Sequence, residues 1–237
     1  MTPNQAKSQI CEIGRRIWQR GYCSGNEGNH SVRIGKKVFC TPSQISKGFM
    51  NPTDIAMCDL KGKQLAGKRK RTSEIFLHLA IYNARPDVGA VVHGHPPHAT
   101  AFAISGISLP TCIHPEAEVF LGKVPTVPYV CPGDNRLGDS ILPYIQQNDI
   151  LLLGSHGVVT AGKDLTDAYY KFEVLEAYAR VLLLAQQIGS LERFSPDQMQ
   201  GLLKLKERFG MTDPRLATND YSDDSAFLTL VKAKTIG

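Results

Sequence analysis

Helical and strand-like patterns alternate along the whole chain, and no repeat, low-complexity tract or Ser/Gly-rich linker separates them. Isoleucines at helical spacing predict an amphipathic helix over about 4–20, and an apolar stripe predicts a longer one over 166–188. Continuous apolar runs at 88–93 and 149–154 are typical of buried strands. With 237 residues, 42% of them hydrophobic, the chain can bury a substantial core. The alternation therefore predicts a single α/β domain.

Shorter elements are predicted between these by their apolar spacing and by Gly and Pro punctuation. Strands are expected at 30–34, 38–41, 55–60 and 127–130, and helices at 73–84, 97–104 and 196–209. Thr72 or Ser73 is the expected cap of the helix at 73–84.

The net charge of +5 is modest and suits an anionic small molecule as well as any other acidic partner. The run at 61–71, KGKQLAGKRKR, contains six basic residues but no aromatic residue on which a nucleic-acid base could stack. It predicts a solvated hairpin, or a field that attracts an anion, and we expect no nucleic-acid partner.

The first residues, MTPNQAKSQICEIGRR, contain no continuous apolar stretch typical of a secretory signal, and no apolar run reaches the length needed to span a bilayer. The six cysteines form no CxxC pair. We therefore expect reduced thiols, no membrane association and a cytoplasmic location.

Three histidines follow apolar strands. His93 and His95 close the strand at 88–93, and residues two apart on a strand point to the same face. His156, in GSHG, follows the strand at 149–154. Three neutral imidazoles with an open fourth position form a common catalytic zinc site. The sequence thus suggests a Zn²⁺ ion at one edge of a sheet, although an HxH pair alone is often incidental.

A carboxylate and several turns of small polar residues accompany the histidines. Glu74 opens the helix at 73–84, where it either complements the helix dipole or serves a metal as ligand or general base. Thr72-Ser73, Gly28-Asn29 and Thr41-Pro42-Ser43 offer backbone and hydroxyl donors, and a helix N-terminus binds phosphate readily. Together they suggest a phosphorylated or otherwise anionic substrate.

These segments, in this order, resemble the class II aldolase/adducin-head family, and most closely its L-fuculose-1-phosphate aldolase-like enzymes. The resemblance runs from about residue 5 to 188. It rests on GNEGNHSVR at 25–33, TPSQISKG at 41–48, RTSEIFLHLAIY at 71–82, DVGAVVHGHPPHATAFA at 87–103 and LLLGSHGVVTAGKDLTDAYYKFEVLEAYA at 151–179. It implies a three-layer α/β/α fold around a largely antiparallel sheet, a catalytic domain over 1–210 followed by a tail at 211–237, and a homotetramer with sites at subunit contacts.

The resemblance also assigns roles. His93, His95 and His156 would be the zinc ligands, and Glu74 the carboxylate beside the metal. Gly28, Asn29, Thr41, Ser43, Thr72 and Ser73 would line the phosphate pocket. Family aldolases often read TPSG or TPTG, whereas Gln44 replaces the glycine here.

The segment His114-Pro115-Glu116 looks like the stretch that supplies a second catalytic carboxylate in some family members, which would make Glu116 catalytic. The alternative is that Glu116 and Glu118 form a solvated edge before a strand-like run at 119–121.

The resulting hypothesis is a zinc-dependent aldolase that cleaves a sugar 1-phosphate to dihydroxyacetone phosphate and an aldehyde. The same metal chemistry would also serve a pentulose-phosphate 4-epimerase, a methylthioribulose-1-phosphate dehydratase or a sugar-acid phosphate decarboxylase. A non-catalytic, adducin-like interaction module is the alternative of a different class, but adducin heads lack the metal histidines that this chain has. Fold alone does not separate these activities.

Overall fold

Eight strands form one sheet within residues 1–223 and 225–228, the part of the chain that the computed structural model describes. They are β1 (Asn29–Ile34), β2 (Lys37–Cys40), β3 (Ala56–Asp59), β4 (Gln64–Ala66), β5 (Ala90–Gly94), β6 (Thr126–Val127), β7 (Ile150–Leu153) and β8 (Gly157–Gly162). Their order in the sheet is β4-β3-β2-β1-β5-β8-β7-β6. Only β6 and β7 pair in parallel; the other neighbours are antiparallel. The largely antiparallel sheet is confirmed.

Helices cover both faces of this sheet. They are α1 (Pro3–Gln19), α2 (Ile75–Ala84), α3 (Pro97–Ser105), α4 (Asn135–Ile145), α5 (Leu165–Ile188), α6 (Pro196–Arg208) and α7 (Arg215–Thr218). Buried side chains of α1, α3 and α5 share one core with the sheet, and those of α2 and α4 share another. Val91 and Val92, adjacent in β5, belong to different cores because successive strand residues face opposite sides. The three-layer α/β/α prediction is confirmed.

Helices α2 and α4 approach closely at Gly138. A Cβ atom at this position would lie 2.8 Å from the carbonyl oxygen of Phe76 in α2. Only glycine permits that distance, which explains a residue that otherwise weakens a helix interior. The close contact packs α4 against α2, the helix that begins directly after Glu74.

Some predicted elements, caps or bounds differ from the structure. Helix α2 begins at Ile75 rather than at residue 73, and neither Thr72 nor Ser73 caps it, because Glu74 precedes its first turn and no side-chain cap bond forms. The strand-like run at 119–121 lies in a π-helical turn, Ala117–Leu121, since a short apolar run fits a buried helix as well as a strand. Strands β4 and β8 and helix α4 were not predicted.

The described residues after 210 pack against the rest of the chain. Arg215 forms an ion pair with Glu118 at 2.7 Å between Nη1 and Oε2. Phe227 is 2% exposed and packs its ring 5.2 Å from that of Phe102. Glu118 is itself 1% exposed, so the predicted solvated edge is wrong for this residue. The remainder of the predicted tail, residue 224 and residues 229–237, lies outside the described residues.

None of the described helices combines the length and apolar character needed to cross a membrane.

One buried histidine makes the fold sensitive to acid. His30 in β1 is fully buried, and its Nε2 donates to the carbonyl oxygen of Ile10 at 2.6 Å. Burial lowers its pKa from 6.5 to about 4, because charging the ring in the core is costly. Between pH 6.5 and pH 4 the unfolded chain therefore binds more protons at His30 than the native protein does. The contribution of His30 to the free energy of unfolding is complete above pH 6.5 and is lost as the pH falls toward 4.

We expect this ring to reduce the free energy of unfolding by about 2 kcal/mol between pH 7.5 and pH 5. Urea denaturation of the native chain and of His30→Gln at both pH values measures the difference. The glutamine can still donate to Ile10 but does not titrate. An equal loss of stability in both proteins would contradict the assignment.

Candidate metal centre and anion cleft

Three histidines meet at the end of β5, where it pairs with the start of β8. His93 lies in β5, His95 follows its last residue, and His156 lies in the turn between β7 and β8. Because β8 pairs with β5, this turn lies beside the end of β5. One possible ligand atom from each ring lies within 4.8 Å of the others. The structure thus brings the predicted metal ligands together.

The free ring nitrogens of the cluster fit a metal ion. His93 Nδ1 donates to the carbonyl oxygen of Val158 at 2.8 Å, which leaves the lone pair on Nε2. Nε2 of His93 and of His95 are buried without a hydrogen-bond partner among the described residues. Buried polar atoms are normally satisfied, and imidazole nitrogens are good ligands for zinc. Burial, and next the neighbouring His93, lowers the pKa of His95 and of His156 to about 4, so both are neutral as a ligand must be.

Glu74 lies directly beside this cluster. Its Oε2 is 3.4 Å from His93 Nε2, and its Oε1 is 3.4 Å from His156 Nε2. Burial is the largest single effect and would raise the pKa of this carboxyl, but the neighbouring His93 and His156 and the hydrogen bond from Asn29 together lower it. Glu74 in turn raises the pKa of His93 against the effect of burial. Glu74 therefore presents an ionised carboxylate to the cluster, and its side chain makes no cap bond to α2.

A series of buried hydrogen bonds holds the Glu74 carboxylate in place. Asn29 Nδ2 donates to Glu74 Oε2 at 2.7 Å, and Asn29 Oδ1 accepts from His78 Nε2 at 2.5 Å. His78 Nδ1 is 2.8 Å from the hydroxyl of Ser31, which is 2.7 Å from that of Tyr82. The Asn29 side chain is thus held on Glu74. Sequence reasoning did not find this series of hydrogen bonds, because β1 and α2 meet only in the folded molecule.

A cleft of about 700 Å³ opens beside the cluster, with Glu74 in its wall. Five of the six predicted phosphate-pocket residues line it: Gly28, Asn29, Ser43, Thr72 and Ser73. Thr41 does not, because it is fully buried and its hydroxyl accepts a hydrogen bond from the His30 amide at 3.3 Å. Gln44 and Lys47 also line the cleft, as do the basic residues 68–70.

Gln44 occupies a backbone conformation that favours glycine. Its φ of 57° lies in the left-handed region, where non-glycine residues are uncommon. The glycine that family members often carry at this point thus has a conformational reason. Gln44 adopts the same kind of turn and adds an amide side chain to the cleft wall.

Glu116 does not join the cluster of His93, His95 and His156 in the described chain. Its side chain is 58% exposed, and its Oε2 lies 3.3 Å from His114 Nδ1. It does not line the cleft. A catalytic role for Glu116 stays a prediction.

The lack of a side chain at Gly157 leaves room for the His95 ring. A Cβ atom at this position would lie 2.4 Å from His95 Cδ2 and 2.7 Å from the carbonyl oxygen of Gly94. We expect Gly157→Ala to displace the His95 ring and to weaken zinc binding about 10- to 100-fold, the range seen when groups that orient a ligand are lost. Zinc titration against a chromogenic chelator measures this. Gly201→Ala, in open space on α6, is the control; native zinc affinity in Gly157→Ala would contradict the prediction.

The comparisons with known proteins agree with this architecture. A model of the class II aldolase and adducin N-terminal domain matches residues 8–183. The L-fuculose phosphate aldolase of Methanocaldococcus jannaschii is 39% identical over 178 residues, 75% of this chain and 96% of that protein. The 3-oxo-tetronate 4-phosphate decarboxylase of Haemophilus influenzae is 31% identical over 191 residues, 78% of this chain and 90% of that protein.

A solved structure of an L-fuculose 1-phosphate aldolase, 25% identical, matches with a TM-score of 0.79 over 87% of this chain and 97% of that one. The family resemblance seen in the motifs is confirmed, and the chain belongs to the class II aldolase and adducin N-terminal domain family.

Proposed function

We propose that this protein is a zinc-dependent aldolase that cleaves an L-fuculose-1-phosphate-like sugar phosphate to dihydroxyacetone phosphate and an aldehyde. The observation that carries the proposal is the convergence of His93, His95 and His156 on an ionised Glu74, which lines a cleft together with small polar and basic residues. The aldolase of Methanocaldococcus jannaschii, 39% identical to this chain, supports the choice of reaction.

His93, His95 and His156 would hold the zinc ion, which would supply a Lewis acid for the substrate carbonyl. The backbone N–H groups of Gly28 and Ser73 and the hydroxyl groups of Thr72 and Ser73 would hold the phosphate in the cleft. Ser43 lines the same cleft, but its N–H and O–H already donate to the carbonyl oxygens of Lys70 and Arg71. Contacts to the metal and to the phosphate would fix the substrate at two points and so orient the carbon–carbon bond to be broken.

Cleavage needs one base and one acid. A base removes the proton from the substrate hydroxyl on the carbon that becomes the aldehyde, and the electron pair of the broken carbon–carbon bond passes to the ketone carbonyl. An acid then protonates the carbon left behind. Glu74 is ionised beside the histidines and suits the proton transfers on its own side of the cleft.

Glu116 would supply the second carboxyl. In the homotetramer that we propose, sites lie at subunit contacts, so an exposed Glu116 of one subunit would serve the site of a neighbour. Sedimentation analysis tests the tetramer. Mixing inactive Glu74→Gln with inactive Glu116→Gln subunits tests the sharing of sites: hybrids regain activity if Glu116 acts between subunits, and stay inactive if it acts within its own chain.

Decarboxylation of a sugar-acid phosphate is the second candidate. The Haemophilus influenzae decarboxylase, 31% identical over 78% of this chain, favours it. The same cleft would hold the phosphate, and the same histidines would hold the metal.

Metal content and turnover of ketose 1-phosphates and of a 3-oxo-tetronate 4-phosphate separate these functions. We expect about one zinc ion per chain and release of dihydroxyacetone phosphate. Zinc with carbon dioxide release would favour the decarboxylase. A stable native protein that binds no zinc and turns over neither substrate would contradict the enzyme proposal and favour an interaction module.

A further inference from the structure

A buried lysine lies in the wall of the cleft beside the histidine cluster. Lys47 is 2% exposed and opens the short helical turn Lys47–Phe49. Its Nζ donates to the carbonyl oxygens of Asn26 and Ile45, each at 2.7 Å. Asn26 also lines the cleft, so these bonds hold the ammonium group at the cleft wall. They use two of the three ammonium hydrogens.

This cation has no carboxylate partner among the described residues. Glu27 and Glu74 are the acidic residues that line the same cleft. Glu27 accepts hydrogen bonds from the amides of Ser24 and Gly25, and Glu74 is held between Asn29 and the histidines. Two other lysines that are not fully exposed, Lys171 and Lys206, form ion pairs with aspartates.

A buried lysine is rarely left without a counter-ion, since removing its charge from water is costly. Burial lowers the pKa of Lys47 to about 8, against the smaller opposing effects of Cys23, Glu27 and Glu74. An anion bound in the cleft would supply the missing negative charge. The wall of the same cleft also carries the donors of Gly28, Thr72 and Ser73.

We infer that Lys47 is a specificity-determining residue whose ammonium group donates its third hydrogen to the phosphate of the substrate. The inference rests on the proposed function for the identity of the substrate, but not for the presence of an anion site. A charged hydrogen bond to a dianion favours phosphorylated over unphosphorylated sugars. The exposed rim residues 68–70 add a diffuse positive field, whereas Lys47 supplies a fixed contact.

Inorganic phosphate is the probe, titrated into the zinc-loaded protein by calorimetry. Lys47→Met keeps most of the side-chain volume and removes the charge. We expect its phosphate dissociation constant to rise about 10- to 100-fold, and Lys47→Arg to recover part of the affinity. Lys206→Met is the matched control, because Lys206 is also buried but lies outside the cleft in an ion pair with Asp213. Its phosphate affinity should equal that of the native chain.

A merely structural role for Lys47, as a brace between two loops, would give a different result. It would lower zinc content and slow the cleavage of an unphosphorylated ketose together with that of the ketose 1-phosphate. We expect instead that KM for the phosphorylated substrate rises while zinc content and the turnover of the unphosphorylated ketose stay unchanged. Native phosphate affinity in Lys47→Met would overturn the inference.

Two further readouts keep the inference independent of folding and of the reaction. If Lys47→Met does not fold, the ¹⁵Nζ resonance of Lys47 in the native protein should shift on addition of phosphate, and an unmoved resonance counts against the contact. If the native chain cleaves no sugar phosphate but Lys47→Met still loses phosphate, the proposed reaction fails and the anion site stands.

Discussion

His95→Ala should abolish zinc binding and lower turnover by about 10³-fold or more. Nε2 of His93 and of His95 is buried without a hydrogen-bond partner in the described part of the chain. The cluster offers one ligand atom from each of three histidines, so we expect an ion here to need His95 as well as the other two. Lewis-acid stabilisation by a bound metal contributes several kcal/mol to a reaction of this kind, and each 1.36 kcal/mol corresponds to a factor of ten in rate. Metal analysis after dialysis, together with release of dihydroxyacetone phosphate, measures both effects.

His98→Ala is the matched control for this variant. His98 lies three residues further along, in α3, and its ring contacts Glu176 rather than the cluster. We expect native zinc content in His98→Ala. Full zinc occupancy and native turnover in His95→Ala would mean that the three histidines do not form the metal centre.

Glu74→Gln should retain zinc and lose turnover by about 10²- to 10⁴-fold, the usual contribution of a positioned acid or base. The glutamine oxygen can still accept the hydrogen bond from Asn29, so the fold and the series of buried hydrogen bonds behind it are preserved. What is lost is the negative charge of a carboxylate whose Oε2 lies 3.4 Å from His93 Nε2 and whose Oε1 lies 3.4 Å from His156 Nε2. Steady-state rates beside metal content separate the two consequences.

The outcome also distinguishes two roles for Glu74. Retained zinc with lost turnover indicates proton transfer, whereas loss of both indicates that the carboxylate completes the coordination of the metal. Glu173→Gln removes a carboxylate from α5 that contacts Arg20 and Tyr169, and it should leave turnover unchanged. Native turnover in Glu74→Gln would contradict any catalytic role.

The parts of the site that follow local sequence rules were predictable. The imidazoles of His93 and His95 are two positions apart at the end of an apolar strand, and strand periodicity alone places them on one face. His156 follows a second apolar strand, and the family resemblance brought these histidines together with Glu74. The turns at Gly28 and Ser43 carried the signature of small residues.

The parts that depend on tertiary contacts were not predictable. Lys47 is indistinguishable in the sequence from a surface lysine, because its burial arises only when the loop of Asn26 packs over it. Glu74 looks like a residue of the first turn of a helix, yet its carboxylate turns toward β5. Helix α4 was missed because Gly138 and Pro143 interrupt its apolar spacing, and the reason for Gly138 is the neighbouring helix.

The residues of the candidate metal centre are far apart in the sequence, and this has a consequence for the order of folding. The candidate ligands come from β5 and from the turn between β7 and β8, and Glu74 precedes α2, which packs on one face of the sheet. These groups approach one another only after β5 and β8 have paired, so an ion cannot nucleate this chain as zinc nucleates a small finger domain. We therefore expect metal uptake to be a late event on a preformed sheet. Removal of the ion by a chelator should then give a folded, inactive protein whose stability falls only by the binding energy of the metal.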